Sequence, residues 1–256
     1  MSKRHRFVIA SILLSIGFIG ISFLSDQSRL TGIFGLTLLA ILLFYWSLYE
    51  TIGRNATLLS IVLPAMFTFG VGLFWFLLPS TFFARLPVVV MYGVGMYALI
   101  STSNIFNVSI IKSIALARAA KGVGFVLTLF TSFLLYDAIL SLRSNYFFTV
   151  ASVIIVSFPL LLQGLWVSKL EKNIEKEQLV YAGVLAYAVG TVSMILYFWP
   201  VTIVVGSLFL TVTMYVLLGL AQSKIEGRLF KSTLKEYLLV GVLVFLAMIF
   251  ATHWRG

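Results

Sequence analysis

Apolar residues fill this chain in long blocks, and polar residues fall in short interruptions between them. The stretch 112–143 shows the unit. It opens on the cations Lys112, Arg118 and Lys121, continues through twenty-one mostly apolar or small residues broken once by Asp137, and stops at Arg143. A helix rises 1.5 Å per residue, so about twenty apolar residues cross a ~30 Å hydrocarbon core. Nine blocks are long enough or nearly so: 7–24, 30–49, 56–78, 87–109, 122–142, 146–167, 179–199, 200–221 and 237–254. The run 179–221 is too long for one crossing. Trp199-Pro200 divides it, because proline disfavours helix at the residue before it and Trp favours the interface. The pattern predicts an all-α bundle of nine transmembrane helices in one membrane domain, 1–256.

Composition agrees. The chain is 61% hydrophobic and 10% charged, against about a quarter charged residues in a soluble domain. No polar stretch is long enough for a separate soluble domain. Cysteine is absent, which removes disulfides and thiolate chemistry. Lys3, Arg4, His5 and Arg6 before the first block resemble a signal-peptide n-region. The long apolar run and the lack of a small-x-small site after Leu24 favour a retained signal anchor.

The net charge of +10 reads as a topogenic bias and gives no reason to expect nucleic acid. With the N-terminus in the cytoplasm and alternate crossings, the inner segments hold Lys3, Arg4, Arg6, Arg54, Lys112, Arg118, Lys121, Lys169, Lys172, Lys176, Lys224, Arg228, Lys231 and Lys235. The outer segments hold Arg29, Arg85, Arg143 and Arg255. Fourteen against four is the positive-inside asymmetry, and it places the C-terminus outside a cytoplasmic membrane. Two inner loops have further character. Loop 169–178 is near neutral and is expected to continue the sixth helix by a turn or two. In 222–236, Lys224, Arg228, Lys231 and Lys235 fall on one helical stripe. That suits a helix lying on the inner leaflet with its cations toward anionic headgroups; the plainer alternative is topogenic cations alone.

The first four blocks echo the next four. Trp46 and Trp166 lie 120 residues apart, and Pro79 and Pro200 lie 121 apart. Such spacing suggests a weak parallel repeat, 7–121 and 122–236, with 237–254 as an extra helix. Aromatic belts recurring at membrane interfaces give a simpler account.

Candidate chemistry is sparse. Asp137 is the one ionisable residue clearly inside a block, and an intramembrane carboxyl is costly enough to suggest function. Its helical face carries Phe130, Phe133, Leu134 and Ser141, while Thr128, Thr131 and Ser132 point elsewhere, so no polar stripe is expected on that helix. The structural alternative is a wet rim position, bonded to Ser141 or paired with an arginine such as Arg85. A second cluster, Ser101, Thr102, Ser103, Asn104, Asn107 and Ser109, sits in the inner half of the fourth block. Asn104 and Asn107 share a face there and either line a cavity or bond between helices. Pro64 and Pro159 free a carbonyl each inside their helices. Nucleotide-binding, metalloprotease and paired-carboxylate signatures are absent. His253 is too near the rim to serve an intramembrane hydrolase. No cofactor, metal or catalytic residue is expected, and the chain reads as a non-enzyme.

The segments RAAKGVGFVLTLFTSFLLYDAIL (118–140) and FWPVTIVVGSLFLTVTMYVLLGL (198–220) resemble a family of polytopic proteins of unknown function predicted from bacterial genomes. The resemblance covers most of the chain and implies a membrane bundle, with no ligand or site residue. The expectation is therefore a multi-pass protein of the cytoplasmic membrane, transporter-like for a small solute or lipid. The alternative is a non-catalytic assembly subunit with a membrane protein partner or a second copy. A transporter needs a polar cavity bordered by Asn104, Asn107 or Asp137, whereas a scaffold buries them.

Overall fold

In a computed structural model, residues 2–50, 56–79, 81–110, 115–171 and 174–252 are described. Arg54, Lys112, Lys172, His253 and Arg255, all named above, lie outside them. Among the described residues there are nine α-helices and no strand: α1 (Lys3–Ser22), α2 (Asp26–Leu48), α3 (Ala56–Leu77), α4 (Phe82–Ser109), α5 (Leu116–Ser141), α6 (Tyr146–Lys169), α7 (Lys176–Tyr197), α8 (Ile203–Ile225) and α9 (Lys231–Ala251). Each is long and apolar enough to cross a membrane. The all-α expectation and the count of nine hold.

Several ends differ from expectation for local reasons. α4 starts five residues before Pro87, because a proline near the start of a helix breaks few intrahelical bonds. α6 stops at Lys169 instead of running on, since Leu170 takes a left-handed φ of 54°. α7 then begins with a capping box between Glu175 and Gln178, which satisfies donors at its first turn. The expected helix over 222–236 is also corrected. α8 ends at Ile225, Gly227 adopts φ 68°, and α9 begins at Lys231. Glycine pays no Cβ penalty at that φ, so the chain reverses there and the four cations do not share one helix.

The chain divides into two compact units. Unit 1 holds α1–α4 and the first half of α5, with residues 170–173; unit 2 holds α5 from Thr128 to its end, then α6–α9. In unit 1, α1 lies between α2 and α4, and α3 packs on both α2 and α4. Its core is an aromatic cluster. Phe18 meets Tyr92 edge-on at 4.4 Å and Trp75 at 5.8 Å, and Phe67 stacks on Tyr92 at 5.5 Å. The Tyr92 hydroxyl lies 3.0 Å from Thr68 Oγ1, which meets the demand of a buried phenol for a partner. In unit 2, α6 packs along α7, and α8 packs on α6, α7 and α9.

Close helix approach depends on glycine at several places, two of them α2–α3 and α6–α7 contacts against an isoleucine. A Cβ at Gly72 of α3 would collide with Ile33 of α2, and one at Gly190 of α7 would collide with Ile154 of α6. The outward faces are apolar: Leu42 is 65% exposed, Ile155 70% and Tyr187 69%. Every helix carries exposed apolar side chains, a surface suited to lipid. In α9, Met248 alone is buried.

Candidate functional site

Asp137 lies in the second half of α5 and is only 5% exposed. Ser207 of α8 sits opposite it, with Oγ 3.1 Å from Asp137 Oδ1. The same Oγ is 3.0 Å from the carbonyl of Val204. A serine hydroxyl has one proton to donate. It serves the ionised carboxylate in one arrangement. In the other it bonds the Val204 carbonyl while a protonated Asp137 donates to Ser207. The pair therefore tolerates both protonation states of the carboxyl. Among the described residues no cation lies within ion-pair distance of Asp137.

The expectation for Asp137 is corrected on two points. Its partner is neither Ser141 nor an arginine, and the site is a buried packing position instead of a wet rim. Nor is α5 without a polar stripe. Thr128, Ser132 and Tyr136, spaced four apart, are all buried, and that spacing puts them on one face. Thr128 donates to Gln163 Oε1 of α6 at 3.4 Å. The Tyr136 hydroxyl is 2.7 Å from Ser157 Oγ and 3.2 Å from Met214 Sδ. The stripe escapes a reading anchored on Asp137, because Tyr136 points about 100° away. α5 buries a wide arc here, since Tyr136 reaches α6 while Asp137 reaches α8. The i, i+4 spacing of Thr128, Ser132 and Tyr136 was the signal available.

In unit 1 the polar run of α4 is only partly interior. Asn107 is buried, and its Oδ1 accepts from Ser60 of α3 at 3.2 Å; its Nδ2 has no partner. Asn104 is half-buried. Asn107 is thus an interhelical bonding group. The apolar groove between α1 and α4, about 350 Å³, is lined by Ser11, Ile12, Ser15, Ile16, Gly93 and Tyr97 among others and borders none of Asn104, Asn107 and Asp137. Arg85 is in the first turns of α4, its guanidinium carbon 5.2 Å from the centre of the Trp75 ring.

The cations near α8 and α9 are spread over separate elements. Lys224 in the last turn of α8 lies 5.1 Å from the centre of the Tyr181 ring. Arg228 pairs with Glu226 in the loop. Lys231 and Lys235 open α9. A further charged cluster was not singled out in the sequence. Arg6 donates to Glu50 at 2.6 Å and lies 4.8 Å from the centre of the Tyr49 ring, and Lys3 stands 3.4 Å from Glu50. It ties the start of α1 to the end of α2. The hydrogen bond from Arg6 holds the Glu50 carboxyl below the usual range. Among the described residues no three His, Asp or Glu side chains come together as a metal site.

Nine long apolar helices, bonded internally by buried hydroxyls and amides, define the class: the fold is compatible with a multi-spanning membrane protein. The chain belongs to the DUF5656 family, whose description is a protein of unknown function and whose model matches residues 30–251. That span takes in α2 to α9. No curated protein and no solved structure matches the chain.

Proposed function

We propose that the protein is a transporter-like, non-enzymatic component of the cytoplasmic membrane, with its N-terminus inside and C-terminus outside, handling a small solute or lipid through unit 2. The observation that supports this is the Asp137–Ser207 pair. A buried carboxyl without a neighbouring cation is expensive at membrane depth and is a functional site by default. The hydroxyl beside it has two acceptors within reach, so proton uptake and release need no change of partner. The test is Asp137→Asn in a strain whose phenotype depends on this gene, with folded protein measured in parallel by size exclusion in detergent. Asparagine can still accept from Ser207, so the folded amount should be kept while complementation is lost. Full complementation by Asp137→Asn would sink the reading.

The second reading, an assembly subunit, draws on the burial of Asn107 and Asp137 against neighbouring helices. It expects Asp137→Asn to be silent and Asp137→Leu to lower the yield of a co-purifying membrane partner or second copy. Lys224, Lys231 and Lys235 remain, on either reading, the side chains we assign to anionic inner-leaflet headgroups.

A further inference from the structure

The turn between α3 and α4 gathers hydrogen-bond donors without acceptors. Trp75, two residues from the end of α3, is 2% exposed, yet its Nε1 has no hydrogen-bond partner. Arg85 lies over that indole at 5.2 Å, and its own Nε is buried and also without a partner. No ion pair involves Arg85 among the described residues. α4 itself begins without a side-chain cap on Thr81 and without an acidic residue in its first turn. The positive end of its dipole is therefore uncompensated. A buried donor left unbonded costs about 1–3 kcal/mol. Two such donors with a guanidinium and a helix start make a half-site whose missing half is an oxyanion.

Position narrows the choice of anion. The start of α1 is bonded to Glu50 after α2, so the α3–α4 turn lies at the opposite end of unit 1, where the helices leave the apolar layer. Phosphate groups of lipids are found at that level. The chemistry also fits: an arginine fork suits phosphoryl oxygens, and an indole N–H adds one more donor. We infer that Arg85, Trp75 and the start of α4 bind a phosphoryl oxyanion, supplied by a phospholipid headgroup or by a soluble phosphate compound. The site is independent of Asp137 and of any role for unit 2.

The experiment uses the full chain in dodecyl maltoside, with thermal unfolding followed on adding dioleoylphosphatidylglycerol, dioleoylglycerol or inorganic phosphate. Dioleoylglycerol has the same chains without the phosphate. Phosphatidylglycerol should raise Tm where dioleoylglycerol does not. Arg85→Gln should weaken the apparent affinity about tenfold or more, the scale of one charge-assisted hydrogen bond. Arg85→Lys should keep part of it. Trp75→Phe removes the indole N–H while keeping a smaller aromatic ring beside Arg85, so it should fold and bind more weakly; it serves where Arg85→Gln does not fold. A rise with inorganic phosphate that also needs Arg85 assigns the site to soluble phosphate compounds. Equal shifts for phosphatidylglycerol and dioleoylglycerol, or a phosphatidylglycerol shift untouched by Arg85→Gln and Trp75→Phe, would overturn the proposal.

Discussion

Two turns in this chain share a motif and end differently. Pro79-Ser80-Thr81 precedes α4 and Pro200-Val201-Thr202 precedes α8, with a tryptophan shortly before each. In unit 2 the motif is closed. Thr202 accepts from the Val205 amide and caps α8, and Trp199 Nε1 donates to Thr252 at 2.8 Å. In unit 1 Thr81 caps nothing and Trp75 has no acceptor. Unit 2 gains its acceptor from the chain beyond the end of α9, whereas unit 1 has no such helix and carries Arg85 instead. The same local sequence is thus self-sufficient where an extra helix covers it, and is left wanting an acceptor where none does.

The comparison breaks most severely at the glycines. Gly190→Val forces Ile154 away from α7, and Gly72→Val does the same to Ile33. Overpacking of this kind costs about 1–3 kcal/mol. Both variants should unfold at lower temperature in detergent, and Ile154→Ala should partly restore Gly190→Val. Next in size is Thr252→Val, which strips Trp199 of its acceptor and makes the unit 2 turn resemble that of unit 1. The expected loss is about 1–2 kcal/mol, read from the unfolding midpoint, with Trp199→Phe in the same background recovering most of it. Thr202→Ala removes a working cap and should cost about 1 kcal/mol. Thr81→Ala removes none and should be neutral by the same measurement; an equal loss in the two would erase the distinction between the turns.

The smallest effect concerns pH. Glu50 is held below its ordinary value by Arg6. Its contribution is therefore complete above the ordinary carboxylate range, about pH 4, and is lost as pH falls through the lowered folded-state value. Unfolding midpoints taken from pH 6 downward should show this slope in the wild type, and Glu50→Gln should flatten it.

Much of the fold was legible because lipid simplifies the problem. A continuous apolar block of about twenty residues spans hydrocarbon only as a helix, so the blocks and their interruptions locate all nine. Helix ends were legible where a capping residue or proline marks them, as at Trp199-Pro200. They were not where one residue leaves the helical basin: Leu170 and Gly227 stop α6 and split the expected surface helix, and neither effect is visible in hydropathy. Asp137 stood out as a lone carboxylate. Its environment did not, because a helix packed on two neighbours buries an arc wide enough to hold Tyr136 and Asp137 together. Arg85 read as a possible partner for Asp137 and Trp75 carried no signal, since only packing reveals that a donor lacks an acceptor.

The order of residues by itself determined that this chain is helical, how many helices are long and apolar enough to cross a membrane, and where most of them lie. In hydrocarbon a helix satisfies its backbone within the segment itself, so each long apolar block marks one. Which hydroxyl meets Asp137, which glycine admits which isoleucine, and which of two similar turns is left with bare donors were decided only in three dimensions. Those depend on how faces rotate toward one another, and nearly every face of these helices is equally apolar.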